Sequence, residues 1–122
     1  MVKARILNRT IKDNYNSIIG VVMGFEEVAA VSEIAKGEGK TIEKNGKILA
    51  VFNVDGNFYA IDNTCLHRGG PLGEGYLDGS IVTCPLHGWQ YDVCSGECQT
   101  MPNMHVTSYK TKTENGKIFV EL

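Results

Sequence analysis

Two short stretches dominate this sequence: residues 65–72 read CLHRGGPL and residues 84–92 read CPLHGWQYD. The first opens with a Cys-x-His pair and the second with a Cys-x2-His pair, each in a segment that contains glycine and proline. The chain has four cysteines and three histidines, and these two stretches hold two of each. Thiolates are soft metal ligands and imidazoles are borderline ones. The pattern therefore predicts a metal centre held between two loops.

The choice of metal depends on how the ligands are paired. Two cysteines and two histidines also suit tetrahedral zinc. Zinc-finger spacing usually puts cysteine beside cysteine and histidine beside histidine, whereas here each loop contains one of each. The mixture favours a two-iron cluster whose irons have different ligands, and a structural zinc domain remains the alternative.

Together the two stretches resemble the cluster-binding boxes of Rieske-type [2Fe–2S] proteins, in detail those of the soluble ferredoxins that serve oxygenases. The resemblance covers residues 24–122. It implies a [2Fe–2S] cofactor with Cys65 and Cys84 on one iron and with His67 and His87 on the other. It also implies an all-β fold, a Rieske-type antiparallel β-sandwich with a small cluster-binding subdomain at one end.

The same resemblance assigns residues around the cluster. High-potential members of the family join the two loops by a disulfide, but the corresponding positions here are Gly70 and Leu86. Those members also carry a serine hydroxyl where this chain has Trp89, while Tyr91 matches a tyrosine that donates to a ligating sulfur. We therefore expect a low-to-intermediate reduction potential that Tyr91 raises modestly.

Further residues are expected to lie close to the cluster. Gly69 and Gly70 suit a backbone that approaches the cluster closely or takes a positive φ. By the resemblance, a third loop with Pro102 shields the cluster from water. Leu66 and Leu86, with Pro71 and Trp89, are candidates for an apolar docking patch, and any of them could instead belong to the core.

The histidine count argues against a catalytic oxygenase. A non-haem oxygenase requires a second iron site with two histidines and a carboxylate. Once the cluster has taken two histidines, only His105 remains, and we expect it at the surface. By the resemblance, the protein takes electrons from a flavin-dependent reductase and passes them to a terminal oxygenase or other redox partner. A small redox subunit of a larger complex, such as a nitrite-reductase-like system, is the alternative.

Composition excludes other classes of protein. The chain has 122 residues and a net charge of −2, without a basic stripe, so a nucleic-acid partner is not expected. No apolar run approaches the ~18 residues that a membrane span requires. Basic residues precede a short apolar stretch near the N-terminus, but no cleavage site for a signal peptide follows. We therefore expect no membrane association and a cytoplasmic location.

Cys94 and Cys98 lie outside both stretches and flank Ser95-Gly96-Glu97. If these three residues form a hairpin loop, the two cysteines face each other and could form a disulfide. Free thiols in a reducing cytosol are the other interpretation.

Turn signals predict the all-β organisation. Residues 1–22 are basic and lack a clear period, so they are expected to be a loosely ordered N-terminal extension, and residues 23–122 to be the Rieske domain. One helical turn is expected near Val31–Ala35. The predicted hairpin turns are Asn45-Gly46, Asp55-Gly56, Asp78-Gly79, Ser95-Gly96 and Asn115-Gly116. The strand-like runs are residues 47–54, 57–61, 80–83, 89–93, 106–113 and 117–122.

Overall fold

In this computed structural model, residues 24–122 are described, and the extension predicted for residues 1–22 lies outside them. The chain divides into two compact units: Val28–Phe119, and a smaller one whose described residues are 24–27 and Val120–Leu122. In the smaller unit, the N–H of Leu122 donates to the carbonyl of Gly24 at 2.8 Å. All residues predicted for the metal centre lie in the larger unit.

The secondary structure of residues 24–122 consists of ten strands and two short 3-10 turns, which confirms the all-β prediction. The 3-10 turns are Val31–Glu33 and Leu72–Glu74. The strands are β1 (Phe25–Ala30), β2 (Gly39–Lys44), β3 (Lys47–Val54), β4 (Asn57–Asp62), β5 (Tyr76–Asp78), β6 (Ile81–Thr83), β7 (Gln90–Asp92), β8 (Ser108–Tyr109), β9 (Thr111–Glu114) and β10 (Lys117–Glu121). Within residues 24–122, no helix has the length and apolar character needed to cross a membrane.

The strands form three sheets, in the orders β1-β10-β9, β2-β3-β4-β8 and β5-β6-β7. Pairing is antiparallel from β2 through β3 and β4 to β8, and likewise from β5 through β6 to β7. Three predicted hairpin turns have a positive φ at both central residues, the conformation of type I′ turns. They are Asn45-Gly46 (53° and 79°), Asp55-Gly56 (53° and 93°) and Asn115-Gly116 (54° and 76°).

Three strands, β1, β2 and β5, were not predicted from the sequence. Each lies at the edge of its sheet. Edge strands tolerate charged and short segments because they have one neighbour and little buried surface. Their sequences, FEEVAA, GKTIEK and YLD, have fewer large apolar residues than the inner strand β3, KILAVFNV.

The prediction of one continuous strand over residues 106–113 is wrong, because the structure has two separate strands there, β8 and β9. Ser108 and Tyr109 pair with β4, whereas Thr111–Glu114 belongs to the sheet of β10. The chain changes sheets between these two segments, so one alternating pattern serves two different partners. The helical turn expected near Val31–Ala35 is confirmed only as the 3-10 turn Val31–Glu33.

The hydrophobic core reaches into both candidate loops. One cluster of buried side chains includes Phe52 and Ile61 from the four-stranded sheet and Val82 from the small sheet. Cys65 and Cys84 belong to the same cluster. Each loop therefore begins at a cysteine that is anchored in the core.

Candidate metal centre

The first candidate loop follows β4 and starts at Cys65. The N–H of Cys65 donates to the carbonyl of Gly70 at 3.0 Å, and the carbonyl of Cys65 accepts from the N–H of Gly69 at 2.8 Å. Gly69 has a φ of 75°, a conformation that side chains disfavour and glycine adopts readily. These two bonds close a tight turn around His67.

The second loop joins β6 to β7 and repeats this geometry. The carbonyl of Cys84 accepts from the N–H of Gly88 at 3.1 Å, and the N–H of Cys84 donates to the carbonyl of Trp89 at 2.8 Å. Gly88 has a φ of 80°. The matching signal in the sequence is Cys-x3-Gly, which occurs as CLHRG at residues 65–69 and as CPLHG at residues 84–88.

A buried asparagine holds the first loop against the four-stranded sheet. Asn63 Oδ1 accepts from the N–H of Gly73 at 2.7 Å and from Thr41 Oγ1 at 3.1 Å. The carbonyl of Asn63 accepts from the N–H of Leu72 at 2.7 Å. Nothing in the sequence distinguishes Asn63, because a buried amide and an exposed one look the same in a sequence.

The four predicted ligands form two pairs that differ in exposure. Cys65 and Cys84 are 2% and 3% exposed, and the Cys84 thiol is a neighbour of the Cys65 thiol. His67 and His87 are exposed, with ring centroids 4.8 Å apart and ring planes at 88°. Within residues 24–122, no group of three or more His, Cys, Asp or Glu side chains is placed to hold one metal ion. The thiol pair is therefore buried, and the imidazole pair is exposed.

Tyr91 on β7 hydrogen-bonds to the first loop. Its hydroxyl oxygen accepts from the N–H of Leu66 at 3.0 Å and lies 3.4 Å from Cys65 Sγ. Because the oxygen accepts from Leu66, the phenolic hydrogen is free to be donated to the sulfur. Burial, followed by the hydrogen bond to Cys65, raises the pKa of Tyr91, so the hydroxyl keeps its proton.

The surroundings of Cys65 favour the thiolate. Burial by itself raises the pKa of this thiol. Hydrogen bonds from the Tyr91 hydroxyl, the backbone N–H of His67, the Cys84 thiol and the backbone N–H of Arg68 outweigh burial, and the pKa is lowered. Thiolate is the form of cysteine that binds metals.

A [2Fe–2S] cluster with two sulfur and two nitrogen ligands fits these residues. Gly70 leaves room beside Cys84, since a Cβ on Gly70 would lie 2.6 Å from Cys84 Sγ and 3.1 Å from Leu86 Cγ. Two buried thiols and two imidazoles on matched loops are the donor set that such a centre requires.

The remaining predicted neighbours are placed as follows. Trp89 is partly buried, and its indole stacks on the ring of His67. Pro102 lies in an exposed loop, where the N–H of Met101 donates to Cys98 Sγ at 3.4 Å. That bond connects the third loop to Cys98, and shielding of the cluster by Pro102 stays a prediction.

Cys94 and Cys98 are both free thiols, so the disulfide interpretation is wrong. Cys98 is buried and lies opposite Tyr91 in an isolated β-bridge, not opposite Cys94. Cys94 is an exposed residue. Partial desolvation of its thiol, followed by the negative charge of Asp92, raises the pKa of Cys94. His105 is exposed, as expected.

Comparison with known proteins identifies the family. Residues 24–110 match the family model of the Rieske [2Fe–2S] domain. The chain belongs to the Rieske [2Fe–2S] family. It is also 36% identical over 97 residues to the ferredoxin component of the naphthalene 1,2-dioxygenase system of Pseudomonas putida, covering 79% of this chain and 93% of that relative.

Solved structures agree with this assignment to the Rieske family. The ferredoxin of Sphingomonas yanoikuyae B1 is similar with a TM-score of 0.74 and 30% identity, over 80% of this chain and 97% of that one. A chain in the complex of reduced oxygenase and oxidised ferredoxin of carbazole 1,9a-dioxygenase has the same TM-score and identity, over 82% of this chain and 94% of that one. The predicted Rieske-type ferredoxin fold and [2Fe–2S] cofactor are confirmed, and zinc is not the family's metal.

Proposed function

We propose that this chain carries single electrons from a flavin-dependent reductase to a terminal oxygenase, with Cys65, His67, Cys84 and His87 as the cluster ligands. A [2Fe–2S] cluster, when bound, accepts and releases one electron at a time. The observation that carries the proposal is that the same two loops hold two buried thiols and two exposed imidazoles whose rings are in contact. A partner protein can touch the imidazoles directly, whereas the core covers the sulfurs.

The surface around the imidazoles suits brief docking. Leu66 and Leu86 are 43% and 56% exposed and lie one on each loop. Arg68, on the first loop, is exposed and adds one positive charge. Pro71 and Trp89, the other two patch candidates, are only partly exposed. Transient redox complexes use small interfaces, and a few apolar side chains are sufficient for one.

The relatives support an oxygenase as the acceptor. One relative is the ferredoxin component of a dioxygenase system, and a similar chain occurs in a complex of oxygenase with ferredoxin. The similarity extends over more than nine-tenths of each of those proteins. This favours a separate carrier over a catalytic subunit or a subunit of a nitrite-reductase-like enzyme. The reductase as donor rests on the resemblance of the two loops.

The ligand set is tested by replacing each predicted ligand and counting the iron and sulfide that remain. Cys65→Ser, His67→Ala, Cys84→Ser and His87→Ala should each abolish the intact two-iron centre, because each removes one of four ligands. Cys94→Ser and His105→Ala are matched controls, since both residues are exposed and lie outside the two loops.

The measurements are iron and acid-labile sulfide per chain, the visible spectrum, and the EPR spectrum after one-electron reduction. The controls should keep two irons per chain and an unchanged spectrum. A His67→Ala variant with a complete, spectroscopically normal centre would refute this ligand set. An iron-free wild-type chain, even after anaerobic reconstitution, would refute the carrier function itself.

A further inference from the structure

Trp89 links the second loop to the histidine of the first. It follows Gly88, and its side chain packs against the hydrophobic core. Its indole lies nearly parallel to the imidazole of His67, with ring centroids 4.8 Å apart and planes at 13°. The stack therefore connects a core-anchored side chain to an exposed one.

The two imidazoles differ in how they are held. His67 has the Trp89 indole against its face and the ring of His87 in an edge-to-face contact. For His87, the ring contact among the described residues is the one with His67. A metal-binding histidine is usually oriented by a hydrogen bond from its other ring nitrogen. No ring nitrogen of His67 has such a bond within residues 24–122, so stacking is the contact that orients it.

We propose that Trp89 is a positioning residue that holds the imidazole of His67 in its ligating orientation. The inference rests on the proposed ligand set. An exposed histidine on a loop has free side-chain torsions, and fixing them on ligation costs entropy. A parallel indole that is itself packed against the core restricts ring rotation before ligation. It also covers one face of the imidazole from water.

The test compares the cluster-loaded wild type with Trp89→Phe and Trp89→Leu. Phenylalanine keeps an aromatic face, and leucine keeps apolar volume without one. Pulsed EPR of the reduced protein resolves the nitrogen couplings of the two histidine ligands, and a chelator assay measures the rate of iron release. In W89L, one of the two nitrogen couplings should shift or broaden, and iron release should be roughly two- to tenfold faster, as loss of one aromatic pair implies. In W89F, the nitrogen couplings and the rate of iron release should both be closer to those of the wild type.

Tyr76→Leu is the matched control. Tyr76 is an aromatic residue on β5 of the small sheet and is 72% exposed, and the ring contacts of the two imidazoles among residues 24–122 do not include it. Replacement of Tyr76 should change neither the nitrogen couplings of the histidine ligands nor the rate of iron release. Circular dichroism and thermal unfolding report whether W89L keeps its core. If it does not fold, Trp89→Met, which fills similar space with a flexible chain, replaces it in the comparison.

The inference is overturned if the folded non-aromatic variant shows wild-type nitrogen couplings and iron release, or if W89F behaves like W89L. Equal shifts of both nitrogen couplings would also contradict it, because His67 is the histidine on which the indole stacks. Failure of the proposed function looks different: the wild-type chain then lacks a two-iron centre or lacks two histidine nitrogens on it.

Discussion

The hydroxyl of Tyr91 is the polar group most directly aimed at a predicted ligand. It accepts from the N–H of Leu66 at 3.0 Å and lies 3.4 Å from Cys65 Sγ. Tyr91 is fully buried, so no water competes for this bond. A donor to a ligating sulfur withdraws electron density and stabilises the reduced centre relative to the oxidised one. This geometry supports the tuning role that was predicted from the sequence.

Tyr91→Phe should therefore lower the midpoint potential. Loss of a hydrogen bond of about 1 kcal/mol corresponds to roughly 40 mV for one electron. A redox titration followed by visible absorbance measures the shift. Tyr109→Phe is the control, because Tyr109 donates to Asp62 at 2.6 Å and its hydroxyl bonds to none of the four predicted ligands. An unmoved potential in Y91F would remove Tyr91 from the residues that tune the centre.

At the scale of elements, the two loops are matched turns that meet at a glycine. Each turn is closed by a bond from a glycine N–H to the carbonyl of the cysteine four residues before it. Gly70 lies where the loops meet, and a Cβ there would be 2.6 Å from Cys84 Sγ. That is closer than real side-chain carbons approach sulfur, so one loop would have to move.

Gly70→Ala should reduce cluster occupancy because it separates the loops that hold the two cysteines. We expect less than half of the wild-type iron per chain, with the rest of the fold retained. Gly79→Ala is the control: Gly79 lies in the β5–β6 turn with a φ of 62° and open space around its Cα. Gly79→Ala should lower the free energy of unfolding by about 1 kcal/mol, because alanine disfavours a positive φ, and it should leave the iron content unchanged. Full occupancy in G70A would show that the loops can adjust.

At the scale of the whole chain, the site has a buried side and an exposed side. Cys65 and Cys84 belong to the hydrophobic core of the larger unit, whereas His67, His87 and the two flanking leucines are exposed. The covered sulfurs and exposed imidazoles give a partner protein one face to approach. Since Arg68 is the one charged residue in the two loop stretches 65–72 and 84–89, contact there depends mainly on apolar area.

Leu86→Glu should slow electron transfer to a terminal oxygenase by about tenfold or more, because docking would bury an unpaired carboxylate. Stopped-flow mixing of the reduced variant with an oxidised aromatic-ring dioxygenase measures the rate, and the midpoint potential is measured in parallel. Ile48→Glu, a substitution on β3 at a residue 48% exposed and outside both loops, is the control. Wild-type transfer by L86E would place the docking face elsewhere.

The sequence by itself was sufficient for the cofactor, the fold class and the four inner strands, β3, β4, β6 and β10. The cysteine and histidine spacing lies within two stretches of fewer than ten residues, and Asn-Gly and Asp-Gly pairs determine their turns locally. β1, β2 and β5 were missed because a strand with one neighbour can fold with little apolar pattern, whereas the edge strands β7, β8 and β9 lie within runs that were predicted.

Tertiary structure alone decided how the centre is supported. It brought Tyr91 to Leu66 across 25 residues, Trp89 to the face of His67, and Asn63 to Thr41 on β2. It also separated Cys94 from Cys98 and turned the second into the core. Turn chemistry depends on adjacent residues and can be read locally. Contacts between distant residues depend on which sheets pack together and in which register, and only the folded chain determines that.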